Sequence, residues 1–251
     1  MTTSTCQIGC ECERIEQMIR HTLWSSGAKG IVIGVSGGVD SALAAALCAR
    51  AVGGGNVLGI CLPSKVTRKE DIDDARRLCD LFAIPFRVIP IAPFLEAAAT
   101  MEDYEETPYL KGNLMARIRM TLLYYHANHL GGLVCGTSNK SEYLLGYCTK
   151  YGDNAADIQP IIHMYKSRVY ECAREVGVPA SIIEKAPSAG LWPGQSDESD
   201  LGYTYAQIDA ALSSLESNRW QAGNATEEMI LGKVRATMHK RIPAPSLLNE
   251  G

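Results

Sequence analysis

The run Ile31-Val32-Ile33-Gly34-Val35 is short, unbroken in apolar character and rich in β-branched residues, the pattern of a strand buried on both faces. Such a strand needs a helical layer on each side of its sheet, which restricts the chain to layered α/β architectures. The residues that follow agree. Ser36-Gly37-Gly38 makes a turn, and the alanine-rich stretch 39–50 reads as a helix. The cycle returns with a strand over 56–62, a helix over 67–82 opened by the capping-box pattern Thr67-x-x-Glu70, and a third strand over 86–89. A long helix over 112–130 and Gly131-Gly132 lead into a fourth strand over 133–136. Strands alternating with helices predict a doubly wound parallel sheet in three layers, Rossmann-like in its winding. A helix over 13–24 precedes this core, and helices over 166–176, 205–217 and 226–238 follow it. The 251 residues carry no repeat and are read as one domain over 1–251, with 1–12 a flexible N-terminal segment.

Composition narrows the function classes. Apolar residues make up 46% of the chain and charged residues 21%, which suits a packed core and excludes a disordered chain. Lys plus Arg number 24 against 28 for Asp plus Glu, a net charge of −4, so no basic excess exists to release counterions from a nucleic-acid backbone. No nucleic-acid partner is expected. The charge-free stretches are broken by glycine and proline well short of the roughly 18 apolar residues of a membrane span. The N-terminus has no secretory or transit pattern, so a cytoplasmic protein without a membrane partner is expected. Among nine cysteines, Cys48, Cys61, Cys79, Cys135 and Cys172 sit in apolar or helical surroundings and read as reduced core residues. Cys6, Cys10 and Cys12 are denser, but C-x3-C-x-C without a fourth ligand nearby is not a usual zinc pattern.

The sharpest chemical signal is Gly34-Val35-Ser36-Gly37-Gly38-Val39-Asp40-Ser41, at the joint between the first strand and its helix. Unpaired N–H groups at a helix N-terminus cradle an anion, and glycine permits an approach that a Cβ would block. Asp40 does not suit an anion alone, because a carboxylate repels phosphate unless a cation stands between them. That points to Mg2+ held jointly with a nucleotide. The loop lacks the lysine of a Walker A sequence and does not match the dinucleotide fingerprint G-x-G-x-x-G. Five fixed positions at an average usage of roughly 7% each match by chance in only a few chains per ten thousand of this length.

Ser-Gly-Gly-x-Asp-Ser after a strand resembles the pyrophosphate loop of the N-type ATP pyrophosphatases, which cleave ATP between its α and β phosphates and activate a substrate by adenylation. Within that superfamily the segments 112–120, 136–142, 149–153 and 187–198 are similar to the NAD synthetase family, in its order. They read Gly-Asn-Leu-Met-Ala-Arg-Ile-Arg-Met, Gly-Thr-Ser-Asn-Lys-Ser-Glu, Thr-Lys-Tyr-Gly-Asp and Pro-Ser-Ala-Gly-Leu-Trp-Pro-Gly-Gln-Ser-Asp-Glu, and the likeness runs from Ile15 to His239-Lys240. The resemblance implies an adenine nucleotide alpha hydrolase-like fold. It also implies ATP-dependent amidation of deamido-NAD by ammonia, through an adenylated intermediate with release of AMP and pyrophosphate, as the last step of NAD biosynthesis.

Residue by residue, the resemblance puts ATP on Gly34, Val35, Ser36, Gly37, Gly38, Val39, Asp40 and Ser41, with Thr137, Lys166 and Ser188. It puts deamido-NAD on Arg117, Lys150, Asp157, His239 and Lys240, and Mg2+ on Asp40 and Glu142. Asp153 falls near the incoming ammonia as proton acceptor, so Asp153, Lys166 and Asp40 are the implied catalytic residues. Glutamine-using relatives carry an additional amidase domain, whereas only 33 residues precede Gly34 here, so free ammonia is the expected donor, or glutamine hydrolysed by a separate glutaminase. Family members are homodimers, and the long helix offers Leu114, Met115, Ile118, Leu122 and Tyr125 as a face for that interface.

Some of these residues have a reading of their own. Gly136-Thr137 closes the fourth strand, and ligands of open parallel sheets bind beyond the carboxyl ends of strands at a switch point. Thr137 can reach a nucleotide there, and Glu142 can share the cation of Asp40. Taken alone, Lys150 and Asp153 make a surface ion pair, Lys166 a helix-start lysine facing water, and His239-Lys240 a frayed helix end; their roles rest on the resemblance. Arg117 and Arg119 lie two apart and cannot share a helix face; the resemblance places Arg117 on the substrate and leaves Arg119 structural. The stretch 186–202 keeps Leu191 and Trp192 among polar residues and reads as a folded functional loop, which the resemblance places beside the site with Trp192 able to pack on a substrate ring. Two other readings fit less well. A tRNA thiolase wants a basic face and usually C-x-x-C, both absent here. A nucleotide-sensing module has no use for Asp40, Glu142, Asp153 and Lys166 together.

Overall fold

The computed structural model describes residues 8–192 and 194–246. Its sheet has four parallel strands, β1 (Ile31–Gly34), β2 (Val57–Cys61), β3 (Phe86–Val88) and β4 (Leu133–Cys135), in the spatial order β3-β2-β1-β4. Ile31 stands opposite Val57 on one side and Leu133 on the other. A single parallel bridge from Cys135 to Ile158 carries the pairing one step beyond β4. The helices in chain order are α1 (Ile8–Ser26), α2 (Val39–Val52), α3 (Lys69–Leu81), α4 (Ala92–Ala98), α5 (Pro108–Leu130) and α6 (Lys140–Leu145). They continue with α7 (Lys166–Glu175), α8 (Ala180–Ile183), α9 (Asp197–Leu201), α10 (Tyr205–Ser217) and α11 (Ala225–Ala236).

The winding follows from which way each strand residue points. Ile31 and Ile33 enter a core shared with α1, α2, α3 and α7, whereas Val32 enters one shared with α4 and α5, so β1 is buried on both faces as its composition requires. The chain steps outward from β1 to β2 and β3, then crosses the opposite face through α5 and returns beside β1 as β4. The winding therefore reverses between β1 and β4, and this switch point opens at the carboxyl ends of both strands.

Helix α2 is apolar on nearly every side, and all its residues except Asp40, Arg50 and Val52 are buried. A helix of that kind must be covered all round, and its five alanines between Ala42 and Ala49 let α1, α7 and the sheet come close. A satellite cluster of Leu145, Ile208, Leu212, Leu215, Ile230 and Val234 packs α6, α10 and α11 together beside the switch point.

Three sequence expectations change. Residues 8–12, expected in a flexible segment, begin α1: Ile8 packs on the core and Cys12 is fully buried, so the apolar face of the helix extends one turn further than its strongest period suggested. Cys6 lies outside the described residues. Thr67 does not cap α3, which starts at Lys69 after Arg68; its hydroxyl accepts instead from the Ser64 N–H at 3.0 Å, and Arg68 turns to grip Asp71. The helices α4, α6, α8 and α9 span 4 to 7 residues, too short to show a helical period. The five cysteines read as core are all buried and free, and no described helix is long and apolar enough to cross a membrane.

Candidate active site

The link from β1 to α2 passes through Gly37 at φ 83°, where a Cβ would lie 2.3 Å from the Asp71 carbonyl oxygen, so glycine is required on both conformational and steric grounds. Ser36 and Ser41 knit the loop: the Ser41 hydroxyl donates to the Gly38 carbonyl at 3.0 Å and accepts from the Ser36 N–H at 3.2 Å. No side chain caps α2. The N–H groups of its first turn have no acceptor within the helix and point into the cleft with the positive end of its dipole, as an anion site demands.

Across the switch point, Asn139 and Glu142 form the capping box of α6: Asn139 Oδ1 accepts from the Glu142 N–H at 3.0 Å, and Glu142 Oε2 accepts from the Asn139 N–H at 3.4 Å. The same Asn139 donates from Nδ2 to Asp40 Oδ1 at 2.9 Å. This joins the two loops and turns both acids toward one point. At that point sits the Lys166 ammonium, 2.5 Å from Asp40 Oδ2 and 3.4 Å from Glu142 Oε1.

Lys166 is the first residue of α7, where a cation opposes the helix dipole, and only 2% of its side chain is exposed. Burial alone would depress its pKa, but Asp40 and Glu142 hold it above the ordinary lysine range. Glu142 shows the converse: burial, then the charge of Asp40, push its carboxyl up to about 8 despite Lys166. Tyr205 completes the wall, its hydroxyl oxygen 3.1 Å from the buried Asp197 and 3.3 Å from Glu142, able to donate its one proton to either, with Lys166 Nζ 4.9 Å from its ring centre.

Asp153 faces the same cleft from the turn after α6. Its Oδ1 accepts from the Thr149 N–H at 2.8 Å, and although the carboxyl opens to the cleft, the protein packed around it desolvates it and raises its pKa, with Thr149 and Lys240 partly offsetting that. The cleft has a volume of 920 Å³ and brings together Gly34 to Ser41, Thr137, Glu142, Asp153, Lys166, Ser188 and Lys240. Trp192 also lines it. The loop over 186–202 is folded as expected, held by Asp197, which accepts from the Ala189 N–H at 2.9 Å and from the Tyr147 hydroxyl at 3.2 Å.

The residues expected on the second substrate divide. Arg117 lines a separate groove of 630 Å³ with Tyr124, Tyr125 and Tyr151, and Asp157 is tied to its edge by the Tyr124 hydroxyl at 3.2 Å. Lys150 joins this side through its carbonyl, which accepts from Arg117 Nε, and donates from Nζ to the His239 carbonyl at 2.6 Å. The His239 side chain is exposed, while Lys240 turns inward and donates to the Gly146 and Cys148 carbonyls.

Two expectations about α5 need correction. Met115 and Leu122 are buried in the chain's own core against the sheet, so of the apolar face expected to meet a partner Tyr125 is the fully exposed member. Arg119, expected to be structural, does donate to the Leu62 carbonyl at 3.1 Å, but it also lines the cleft. The sequence reading missed Asn139, Tyr205 and Lys185. Only Asn139 had a usable signal, the pattern Asn139-x-x-Glu142.

An anion-cradling loop at the switch point of a doubly wound parallel sheet puts the chain in the class of adenine nucleotide alpha hydrolase-like folds. A sequence model described as NAD synthase matches residues 11–244. An NH(3)-dependent NAD(+) synthetase of Methanoregula boonei is 58% identical over 243 residues, covering 97% of this chain and 98% of the relative. The solved structure of an NMN synthetase from Francisella tularensis superposes with a TM-score of 0.88 at 36% identity, covering 96% of this chain and 98% of that one. An NH3-dependent NAD synthetase from Campylobacter jejuni gives 0.82 at 32% identity, covering 97% and 99%. The chain belongs to the NAD synthase family and is an enzyme of that type.

Proposed function

We propose that this enzyme joins ammonia to the pyridine carboxylate of deamido-NAD, activating the carboxylate with ATP as an adenylate and releasing AMP and pyrophosphate. The observation that carries this reading is the single cleft in which the anion loop, the Asp40–Lys166–Glu142 cluster and Asp153 meet. A pyridine carboxylate repels a nucleophile and has a poor leaving group; adenylation removes both obstacles. The substrate carboxylate attacks the α phosphorus, and the N–H groups of the loop together with Lys166 stabilise the charge that grows on the departing pyrophosphate. Ser188 and Thr137 border the same space and hold ATP.

Asp40 and Glu142 fit Mg2+: two hard oxygen donors beside an anion loop suit an ion that completes its shell with phosphate oxygens and water. When bound, the ion supplies Lewis-acid charge to the phosphates. Among the described residues there is no group of three or more His, Cys, Asp or Glu placed to hold a metal ion. Asp153 takes the proton that ammonia must lose, and its raised pKa brings it nearer the working range of a base. Arg117, Lys150, Asp157 and Lys240 bind deamido-NAD, with the His239 segment ordered through Lys150.

The enzyme is a cytoplasmic homodimer in this reading. Tyr125 and Tyr151, at 65% and 66% exposure, flank the groove that holds Arg117, an apolar face that a second copy covers. Sedimentation at the dimer mass is expected; a monomer at the concentration of full activity would overturn the assembly.

The reaction is tested with purified protein, ATP and Mg2+, supplying ammonium or glutamine in turn. NAD and AMP in equal amounts with ammonium alone is the expected result. Turnover of the deamidated mononucleotide in preference to deamido-NAD would move the acceptor toward that of the Francisella tularensis relative. No amide from either acceptor, in a protein that binds ATP, would refute the assignment.

A further inference from the structure

Lys185 lies two residues past α8 at the margin of the cleft, with 19% of its side chain exposed. Its ammonium lies 3.3 Å from the Gly37 carbonyl oxygen and 2.8 Å from Asp71 Oδ1, and it pairs with Asp74. Each acid also has a guanidinium partner of its own. Arg68 grips Asp71 through two contacts of 2.9 Å, and Arg77 pairs with Asp74, which also accepts from the Ser181 hydroxyl at 3.0 Å. Two carboxylates are thus matched by two guanidinium groups, and Lys185 is a third cation whose distinct contact is the Gly37 carbonyl.

That carbonyl matters because of where it lies. The peptide between Gly37 and Gly38 joins two glycines and meets little resistance to flipping. In a trans peptide the carbonyl and the next N–H point in opposite directions. With the Gly37 oxygen held outward by Lys185, the Gly38 N–H points into the loop and donates to the Ser36 hydroxyl oxygen at 3.3 Å. With the peptide flipped, a carbonyl oxygen would face the phosphate and repel it.

We propose that Lys185 is a positioning residue of the pyrophosphate loop: it locks the Gly37–Gly38 peptide with its N–H inside the loop, on the Ser36 hydroxyl, and its carbonyl away from the phosphates of ATP. This rests on the nucleotide reading of the cleft given above.

The test measures ATP and pyrophosphate binding by calorimetry on the full chain with Mg2+, together with the KM of each substrate. Lys185→Met is expected to weaken ATP and pyrophosphate by roughly tenfold, the loss of one charge-assisted hydrogen bond, with the KM values for ammonium and deamido-NAD unchanged. Lys185→Arg, which keeps a donor, is expected to restore most of the affinity. Should Lys185→Met fail to fold, the double variant Lys185→Met with Asp74→Asn removes the acid left behind and is expected to fold while still binding pyrophosphate weakly. Equal rises in all KM values, full pyrophosphate affinity in either Met variant, or an Arg variant as weak as the Met variant would overturn the role. A wild-type protein that binds neither ATP nor pyrophosphate would overturn the nucleotide reading itself, and this inference with it. A wild type that binds both while Lys185→Met binds equally well would overturn only the inference.

Discussion

Asp40→Asn should give a folded protein whose ATP-dependent turnover has fallen by about three orders of magnitude. The substitution keeps the shape of the side chain and the oxygen that accepts from Asn139 Nδ2, so the bridge between the two site loops survives. What it removes is one of the two negative charges that converge on Lys166. Lys166 keeps Glu142 as a partner, so the buried ammonium is not left alone, and the cost to stability stays well below that of stripping a buried ion of its only counter-ion. The site, however, goes from two carboxylates to one, and Mg2+ held by a single protein carboxylate competes poorly with water. Assaying AMP formation across a Mg2+ titration separates the causes. Turnover that recovers at high Mg2+ places the loss in metal binding, and near-normal turnover at ordinary Mg2+ would refute the metal role of Asp40.

Asp153→Asn should divide the reaction in two. Asparagine retains the oxygen that accepts from the Thr149 N–H, so the turn keeps its form, but it cannot take a proton. In a single turnover one equivalent of pyrophosphate per site should still be released at the normal rate, while NAD formation slows by roughly 10²- to 10⁴-fold, the usual worth of a positioned base. The pH dependence carries the same signature. The protein packed around Asp153 raises its carboxyl in the wild type, so the basic form is lost as pH falls through that raised value. Amide formation should therefore decline on the acid side, and the variant should lack that decline. Pyrophosphate release and NAD formation falling together would show that Asp153 orients substrate rather than accepting its proton.

β1, its glycine loop and α2 are legible in the sequence because their signals are local: an apolar β-branched run, fixed positions within one turn, and an alanine-rich helix. The four strands and the long helices are found for the same reason, to within one or two residues at most ends, four at the start of α5 and five at the start of α1. The acid cluster is not local. Lys166 lies 126 positions from Asp40, and nothing around it in the sequence distinguishes a buried cation from a helix-start lysine in water. The two capping patterns make the limit concrete: Asn139-x-x-Glu142 is a real box and Thr67-x-x-Glu70 is not, because Ser64 captures the Thr67 hydroxyl. On α5, periodicity identifies Met115 and Leu122 as apolar but not whether a sheet or a second subunit covers them. Lys185 stands in no motif, and only the folded chain brings it to Gly37.

Helix α2 has almost no side open to water, and its first turn is the floor of the anion site. The nucleotide pocket therefore has no local melting mode of its own: to lose the alignment of those N–H groups the helix would have to leave the centre of the molecule. Opening that floor is the same event as global unfolding, and its amide protons belong among the slowest to exchange. The end of the cleft proposed for ATP is built on this buried helix, so binding there is expected to spend little free energy on ordering the chain.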